Sequence, residues 1–255
     1  MISNDMKVGF LLTARMKSTR LKNKLTLKIN HRQIIRLMID RIKLVKNIDE
    51  IIICTSMNTQ DDILEEIAKE EKIGVFRGHE DDVIERLYGA TQQYKLDYAL
   101  NITADCPLVS FEYIDKIIAK YKETGADLIR TFGLAHGFFS YGMKVEALKK
   151  VCEIKKGTDT EVWGKYFTDT GLFEIYDFDI PENLQRPDYR LTLDYPKDFE
   201  FFKKIYTRFG KDTYKTPMKD IIDFLDENAE IVQINKDMKQ KYQVNWDSQN
   251  KLELK

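Results

Sequence analysis

Residues 7–27 read KVGFLLTARMKSTRLKNKLTL. The apolar run at 8–12 is too short for a helix and long enough for one strand buried on both faces. It breaks into a basic loop carrying Arg15, Lys17, Arg20, Lys22 and Lys24, with Ser18 and Thr19 between them. α/β sheets present ligands beyond the carboxyl ends of their strands, so a strand running into such a loop predicts an anion site. Positive side chains this close repel one another until an anion, such as a polyphosphate, neutralises them. On charge alone, a solvated basic loop is the plain alternative.

Working outward, 255 residues have room for one large α/β domain or two small ones. Lys and Arg number 41 against 42 Asp and Glu, so no global field points to nucleic acid and any anion binding is local. Cys54, Cys106 and Cys152 are widely spaced and odd in number, which points to a reducing compartment and away from zinc. His31, His79 and His136 are too scattered to suggest a metal cluster. No signal-peptide core or membrane-length apolar run is present, so the expected location is the cytoplasm, with no membrane partner.

Helical periodicity follows at 33–48, a short buried strand at 51–54 and an amphipathic helix at 61–72. Residues 74–76 form a third candidate strand, 83–94 a helix and 98–102 a fourth strand that runs into Thr103-Ala104-Asp105-Cys106-Pro107. This alternation predicts right-handed crossovers and a mainly parallel sheet. Beyond residue 125 the pattern loosens. Strands are expected at 127–131, 172–178 and 190–193, a loop at 133–142, and helices at 145–151, 197–209 and 218–226. The second half reads as the same sheet plus a small arm, giving one domain over 1–255 with a substrate and dimerisation region near 130–185. The aromatics Phe138, Phe139, Tyr141, Trp163, Tyr166 and Phe167 there read as core more readily than as a ligand platform.

Asp105 directly follows one predicted strand and Asp194 another, so two carboxylates 89 positions apart can converge at one sheet edge. Mg²⁺ uses one or two carboxylates and takes its other ligands from water and phosphate. With the basic loop facing them, they form a site for a nucleoside triphosphate. Each aspartate alone also suits a turn or a helix cap, and Asp198 suits the start of the following helix. Arg77 and Arg86 can simply pair with the acidic stretch Glu80-Asp81-Asp82 between them. No P-loop, G-x-G-x-x-G or G-x-S-x-G motif is present.

FLLTARMKSTRLKNKLTLKI resembles the opening motif of the cytidylyltransferases that activate acidic sugars: the octulosonate and acylneuraminate enzymes and the spore-coat polysaccharide group. FRGHEDDVIERLYGA, NITADCPLV, RLTLDYPKDFEFF and FLDENAEIVQIN resemble their later segments in order. The likeness covers most of the chain and is weakest at 130–180. It implies a three-layer, Rossmann-like nucleotide-diphospho-sugar transferase fold. It also implies CMP transfer from CTP to an acidic 2-keto sugar, Mg²⁺ as cofactor and a homodimer. By position, Ala14, Arg15, Ser18, Arg20, Lys24, Arg77 and Asp82 would lie at the nucleotide, with Asp105 and Asp194 on the metal and Arg15, Lys24 and Asp105 catalytic. Lys22-Asn23 stands where the family has Pro-Gly, and Thr103-Ala104 where the octulosonate enzymes have Gln-Gly. Alternatives are a sugar-phosphate or non-sugar acceptor, or GTP as donor. A glycosyltransferase would need a metal-binding Asp-x-Asp, for which only Asp177-Phe178-Asp179 offers itself, and a non-enzymatic scaffold would have no need of both metal carboxylates.

Overall fold

The computed structural model describes residues 6–239 and 252–255. At its centre β1 (Val8–Thr13) lies between β4 (Glu50–Ser56) and β6 (Tyr98–Thr103), parallel to both. A hairpin of β2 (Lys28–Ile29) and β3 (Arg32–Gln33) precedes α1 (Ile34–Ile42). Next come α2 (Asp62–Glu71), β5 (Gly74–Gly78), α3 (Val83–Tyr94) and, after β6, α4 (Phe111–Thr124). The remainder is β7 (Leu128–Arg130), β8 (Tyr141–Lys144), α5 (Val145–Ile154), α6 (Gly164–Thr168), β9 (Ile175–Asp177), α7 (Pro196–Phe209), α8 (Met218–Glu227) and α9 (Ala229–Gln233). The seven-stranded sheet runs β5-β4-β1-β6-β8-β7-β9, with only β8 antiparallel to its neighbours.

Consecutive apolar residues in the central strands are explained by burial on both faces. Phe10, Leu12, Ile51, Ile53, Leu100 and Ile102 join the core beneath α1, α2 and α4. Leu11, Ile52, Cys54 and Ala99 join the opposite core beneath α3 and α5. A third cluster docks α7 and α8 onto the outer side of α1 through Ile34, Leu37, Phe201, Phe202, Ile221 and Leu225. The mainly parallel, three-layer expectation is met.

Two departures concern the second half. Residues 133–142 were expected to be a loop, yet β8 begins at Tyr141 and inserts between β6 and β7. Gly142 is the last residue of that expected loop. Its role is different: a Cβ there would come within 2.1 Å of the Tyr98 hydroxyl and 2.3 Å of Ile117. The second departure is the RLTL segment at 190–193, which is no strand of the sheet. It is an extended piece laid across the sheet's carboxyl end, where the Leu191 amide donates to the His136 carbonyl and the Leu193 amide to the Asp105 carbonyl. Leu191 and Leu193 are fully buried, which gave the segment its strand-like apolar pattern. Gly137 permits this crossing, since it adopts φ +111° and its missing Cβ leaves room for the Leu191 carbonyl.

Candidate active site

β1 connects to β4 on one side, and the chain then returns to place β6 on the other, so the crevice beyond β1 and β6 is the sheet's switch point. The basic loop leaves β1 into this crevice, and Asp105 follows β6 into it. Ala14 is buried at the root of the loop, its amide bonded to the Cys54 carbonyl. The Met16 amide donates to Asp61 Oδ1 at 2.7 Å, while the other oxygen of that buried carboxylate accepts from the Ser56 hydroxyl and amide. Asp61, read in sequence as part of a helix's first turn, therefore fixes the start of the loop.

Farther along, Asn23 adopts φ 55°, a left-handed conformation that Asn tolerates better than most residues. The turn it opens aims Lys24 inward. Lys24 Nζ donates to Asp105 Oδ2 at 2.6 Å and to Asp194 Oδ1 at 3.0 Å. Arg20 Nη2 reaches the same Asp194 oxygen at 3.0 Å, and Arg190 Nη2 holds the other at 2.6 Å. The two far-separated aspartates thus meet on one ammonium. Burial alone would depress the Lys24 ammonium, but Asp105 and Asp194 outweigh it and hold its pKa above the ordinary value. Burial would likewise raise Asp194, but Lys24, Arg190 and Arg20 hold its carboxyl well below the usual range. Both groups are charged at neutral pH.

Arg15 lies at the other end of the crevice. Its Nη1 donates to the Glu80 carbonyl at 3.0 Å and Asp81 Oδ1 at 3.2 Å, and its Nη2 to Glu161 Oε2 at 2.9 Å. Lys17 pairs with Glu80 at 3.0 Å. Ser18 sits half-buried between Arg15 and Arg20, and Lys22 is exposed.

Arg77 and Asp82, also expected at the nucleotide, do not line the crevice beside Arg15 and Lys24. Arg77 is on β5 and turns toward α2, pairing with Asp62 and Glu65 and donating to the Ser56 and Asn58 carbonyls. Asp82 is fully buried, caps α3 through the Glu85 amide, and is paired with Lys155 and bonded to Thr160. Its carboxylate is occupied in joining α3 to the segment 155–163 between α5 and α6, here called the arm. Arg86 is no surface partner of the acidic stretch either, being buried and donating to the His79 and Glu80 carbonyls. Asp177, of the one Asp-x-Asp triplet, is held in a bidentate pair by Arg130.

Two cavities open here. The smaller, about 110 Å³, is bounded by Ala14, Arg15, Lys17, Lys24 and Asp105. The larger, about 510 Å³, lies against Arg130, Phe132, His136, Phe139, Tyr141 and Lys165. They share Asn101, Thr103, Glu161 and Trp163 as a common wall. Of the aromatics expected to be core, Phe138, Trp163, Tyr166 and Phe167 are buried as expected, while Phe139 and Tyr141 are only partly buried; Phe139, Tyr141 and one side of Trp163 line the larger cavity. Phe132 and Phe139 stand edge-to-face at 5.6 Å, and Tyr141 and Trp163 at 4.9 Å, giving that cavity a continuous aromatic wall.

Sequence reasoning missed Glu161, Arg190 and His136 at this site: Glu161 and His136 reach it only through long-range folding, whereas Arg190, four residues before Asp194, was read only as part of an apolar strand. His136 stacks on Phe139, and burial together with Arg190 pushes its pKa down to about 4, against the opposing pull of Asp105, Asp194 and Asp198. The unfolded chain takes up this proton near pH 6.5 and the folded one only near pH 4. Stability is therefore complete above pH 6.5 and lost as pH falls to 4, by up to about 3 kcal/mol. Urea unfolding midpoints across that range should fall less steeply in His136→Asn than in the wild type.

Two carboxylates on one point suit a small hard divalent cation that draws its remaining ligands from water and phosphate. Among the described residues, no group of three or more His, Cys, Asp and Glu side chains is placed to hold a metal ion. Nor is any helix among them long and apolar enough to cross a membrane.

Comparison with known proteins places this geometry in context. Residues 10–245 match the cytidylyltransferase family. The spore coat polysaccharide biosynthesis protein SpsF of Bacillus subtilis is 27% identical over 209 residues, covering 79% of this chain and 87% of its own. A cytidylyltransferase structure from Leptospira borgpetersenii superposes with TM-score 0.81 at 28% identity, covering 89% of this chain and 97% of that one. A CMP:2-keto-3-deoxy-manno-octonic acid synthetase complexed with CTP shares the fold with TM-score 0.62 at 12% identity, covering 79% and 99%.

Proposed function

Since the chain belongs to the cytidylyltransferase family, we propose that it transfers CMP from CTP to a hydroxyl of an acidic 2-keto sugar and releases pyrophosphate, in the making of a surface glycan or polysaccharide. The observation that carries this reading is the meeting of Arg20, Lys24, Asp105 and Asp194 at the switch point, beside a cavity large enough for a sugar. SpsF, named for spore coat polysaccharide biosynthesis, and the synthetase complexed with CTP support the substrate class.

In this reading the smaller cavity takes the triphosphate and the larger one the acceptor. The acceptor hydroxyl oxygen attacks the α-phosphorus as its proton passes to solvent, the bond from that phosphorus to the oxygen bridging to the β-phosphate breaks, and pyrophosphate leaves. Arg15, Arg20 and Lys24 exchange carboxylate partners for phosphate oxygens and stabilise the charge that builds on the leaving group. Thr103 fixes the Asp105 carboxylate through a 2.5 Å hydrogen bond, and Arg190 fixes that of Asp194. Asp105 and Asp194 would hold Mg²⁺, which when bound polarises the α-phosphate. Lys165, and Arg130 where an acceptor carboxylate takes over from Asp177, supply positive charge for an anionic acceptor at the larger cavity, and its aromatic wall suits the less polar face of a sugar ring.

A pyrophosphate-release assay with CTP across 2-keto sugar acids and sugar phosphates tests the acceptor class. If only sugar phosphates support turnover, the acidic-sugar assignment falls. Donor choice is tested by thermal shift with Mg²⁺. At about 100 times its Kd a ligand stabilises by about 2.7 kcal/mol, which for a chain of this size raises Tm by roughly 5–10 °C. CTP should do so and GTP should not. An equal or larger shift with GTP removes the cytidine assignment.

A further inference from the structure

The two guanidinium nitrogens of Arg15 are held differently. Nη1 is anchored on the Glu80 carbonyl and Asp81, at the turn before α3. Nη2 has Glu161, a half-exposed carboxylate from the arm. The backbone on which Glu161 sits is firmly fixed. The Thr160 amide donates to the Asp81 carbonyl at 3.1 Å, its hydroxyl donates to Asp82 at 2.9 Å and accepts from the Ile84 amide at 3.0 Å, and Lys155 pairs with Asp82. The side chain of Glu161 is therefore the movable part of a rigid mount, placed on the wall between the two cavities.

We propose that Glu161 is a positioning residue that links the two cavities: without nucleotide it takes the place of a phosphate oxygen on Arg15 Nη2, and when a triphosphate displaces it, it turns to the acceptor cavity. This rests on the reading of the crevice as a triphosphate site. A phosphate oxygen carries the same charge and accepts the same N–H, so the exchange keeps Arg15 satisfied while Nη1 keeps its anchor. Once released, the carboxylate borders the acceptor cavity as a hydrogen-bond acceptor for sugar hydroxyls. Filling of the first cavity thus completes the second, which favours nucleotide binding before acceptor.

Trp163 reports the event, since it lies two residues from Glu161 on the shared wall and the chain's other tryptophan, Trp246, can be changed to Phe. In Trp246→Phe protein, CTP and inorganic pyrophosphate, each with Mg²⁺, should both alter Trp163 emission, because the phosphates alone drive the exchange. Adding Glu161→Gln removes the internal competitor, so calorimetry should give a CTP Kd about two- to five-fold lower, as for loss of a partly exposed ion pair. In that variant the nucleotide-free emission should already lie near the bound value. Arg15→Ala should weaken CTP binding and abolish the emission change. If Arg15→Ala weakens binding but Glu161→Gln leaves Kd unchanged or higher, the role given to Glu161 is overturned while the triphosphate site stands. If Arg15→Ala leaves CTP binding unchanged, the triphosphate reading of the crevice falls as well.

Discussion

Lys24→Met should lower the maximal rate of pyrophosphate release from CTP, with saturating acceptor, by about 10²-fold or more, the usual cost of removing a donor that stabilises transition-state charge. Met keeps much of the Lys24 stem and deletes only the ammonium that touches both Asp105 and Asp194. The fold should survive, because Asp194 retains Arg20 and Arg190, and the Thr103 hydroxyl still holds Asp105. The loss should appear mainly in kcat, since Arg15 and Arg20 remain to attract the triphosphate. Lys24→Arg keeps the charge, but a planar fork cannot replace a compact ammonium between two carboxylates, so recovery should be partial. A Lys24→Met rate within about threefold of wild type would remove Lys24 from the chemistry.

Four of the five loop cations are already paired with carboxylates of the same crevice: Arg15, Lys17, Arg20 and Lys24. Sequence reasoning saw the cations and inferred mutual repulsion awaiting an anion. Folding resolves that repulsion internally, with Asp81, Glu161, Glu80, Asp105 and Asp194 as the partners. The near-zero net charge of the chain is thus repeated locally at the site. In the proposed reading, a triphosphate competes with these carboxylates, and a divalent cation would offset the charge of the ones it displaces.

What was legible in the sequence follows the physics of burial. β1, β4 and β6 could be read because strands covered on both faces are continuously apolar. β8 could not, because four residues beginning Tyr-Gly carry no periodic signal and their pairing with β6 is set by the space above Tyr98. The 190–193 segment misled for the opposite reason: burial gave it a strand's composition without a strand's neighbours. Within the site, residues at the ends of recognisable strands were found. Glu161, which meets Arg15 across 146 positions, carries no local mark of its partner. Arg77 and Asp82 lie in a stretch resembling the family's, yet in this chain their side chains serve α2 and the arm.

The largest stability effect should come from Asp198→Ala, which should destabilise the fold by about 3–5 kcal/mol and lower Tm by roughly 10 °C. Asp198 is fully buried and is the third residue of α7, which begins at Pro196. Its Oδ2 accepts the amides of Asp194 and Tyr195 at 2.8 and 2.9 Å. Its Oδ1 accepts Arg190 Nε at 3.1 Å and Asn235 Nδ2 at 2.9 Å. Truncation therefore orphans two backbone N–H groups and leaves the buried Arg190 guanidinium with Asp194 as its main carboxylate partner. Arg190 and Asp198 together also aim the Asp194 carboxylate, so Asp198→Ala should slow turnover even at temperatures where the variant is folded. The double variant Arg190→Met/Asp198→Ala separates these roles. Removing both charges should recover part of the lost stability, because the penalty of a lone buried charge disappears. Turnover should not recover with it, because Asp194 keeps Lys24 and Arg20 on one oxygen but loses the 2.6 Å bond from Arg190 on the other, which is left with a long 3.5 Å bond from the Thr192 hydroxyl. If the double variant is no more stable than Asp198→Ala, the backbone amides rather than the buried charge account for the loss.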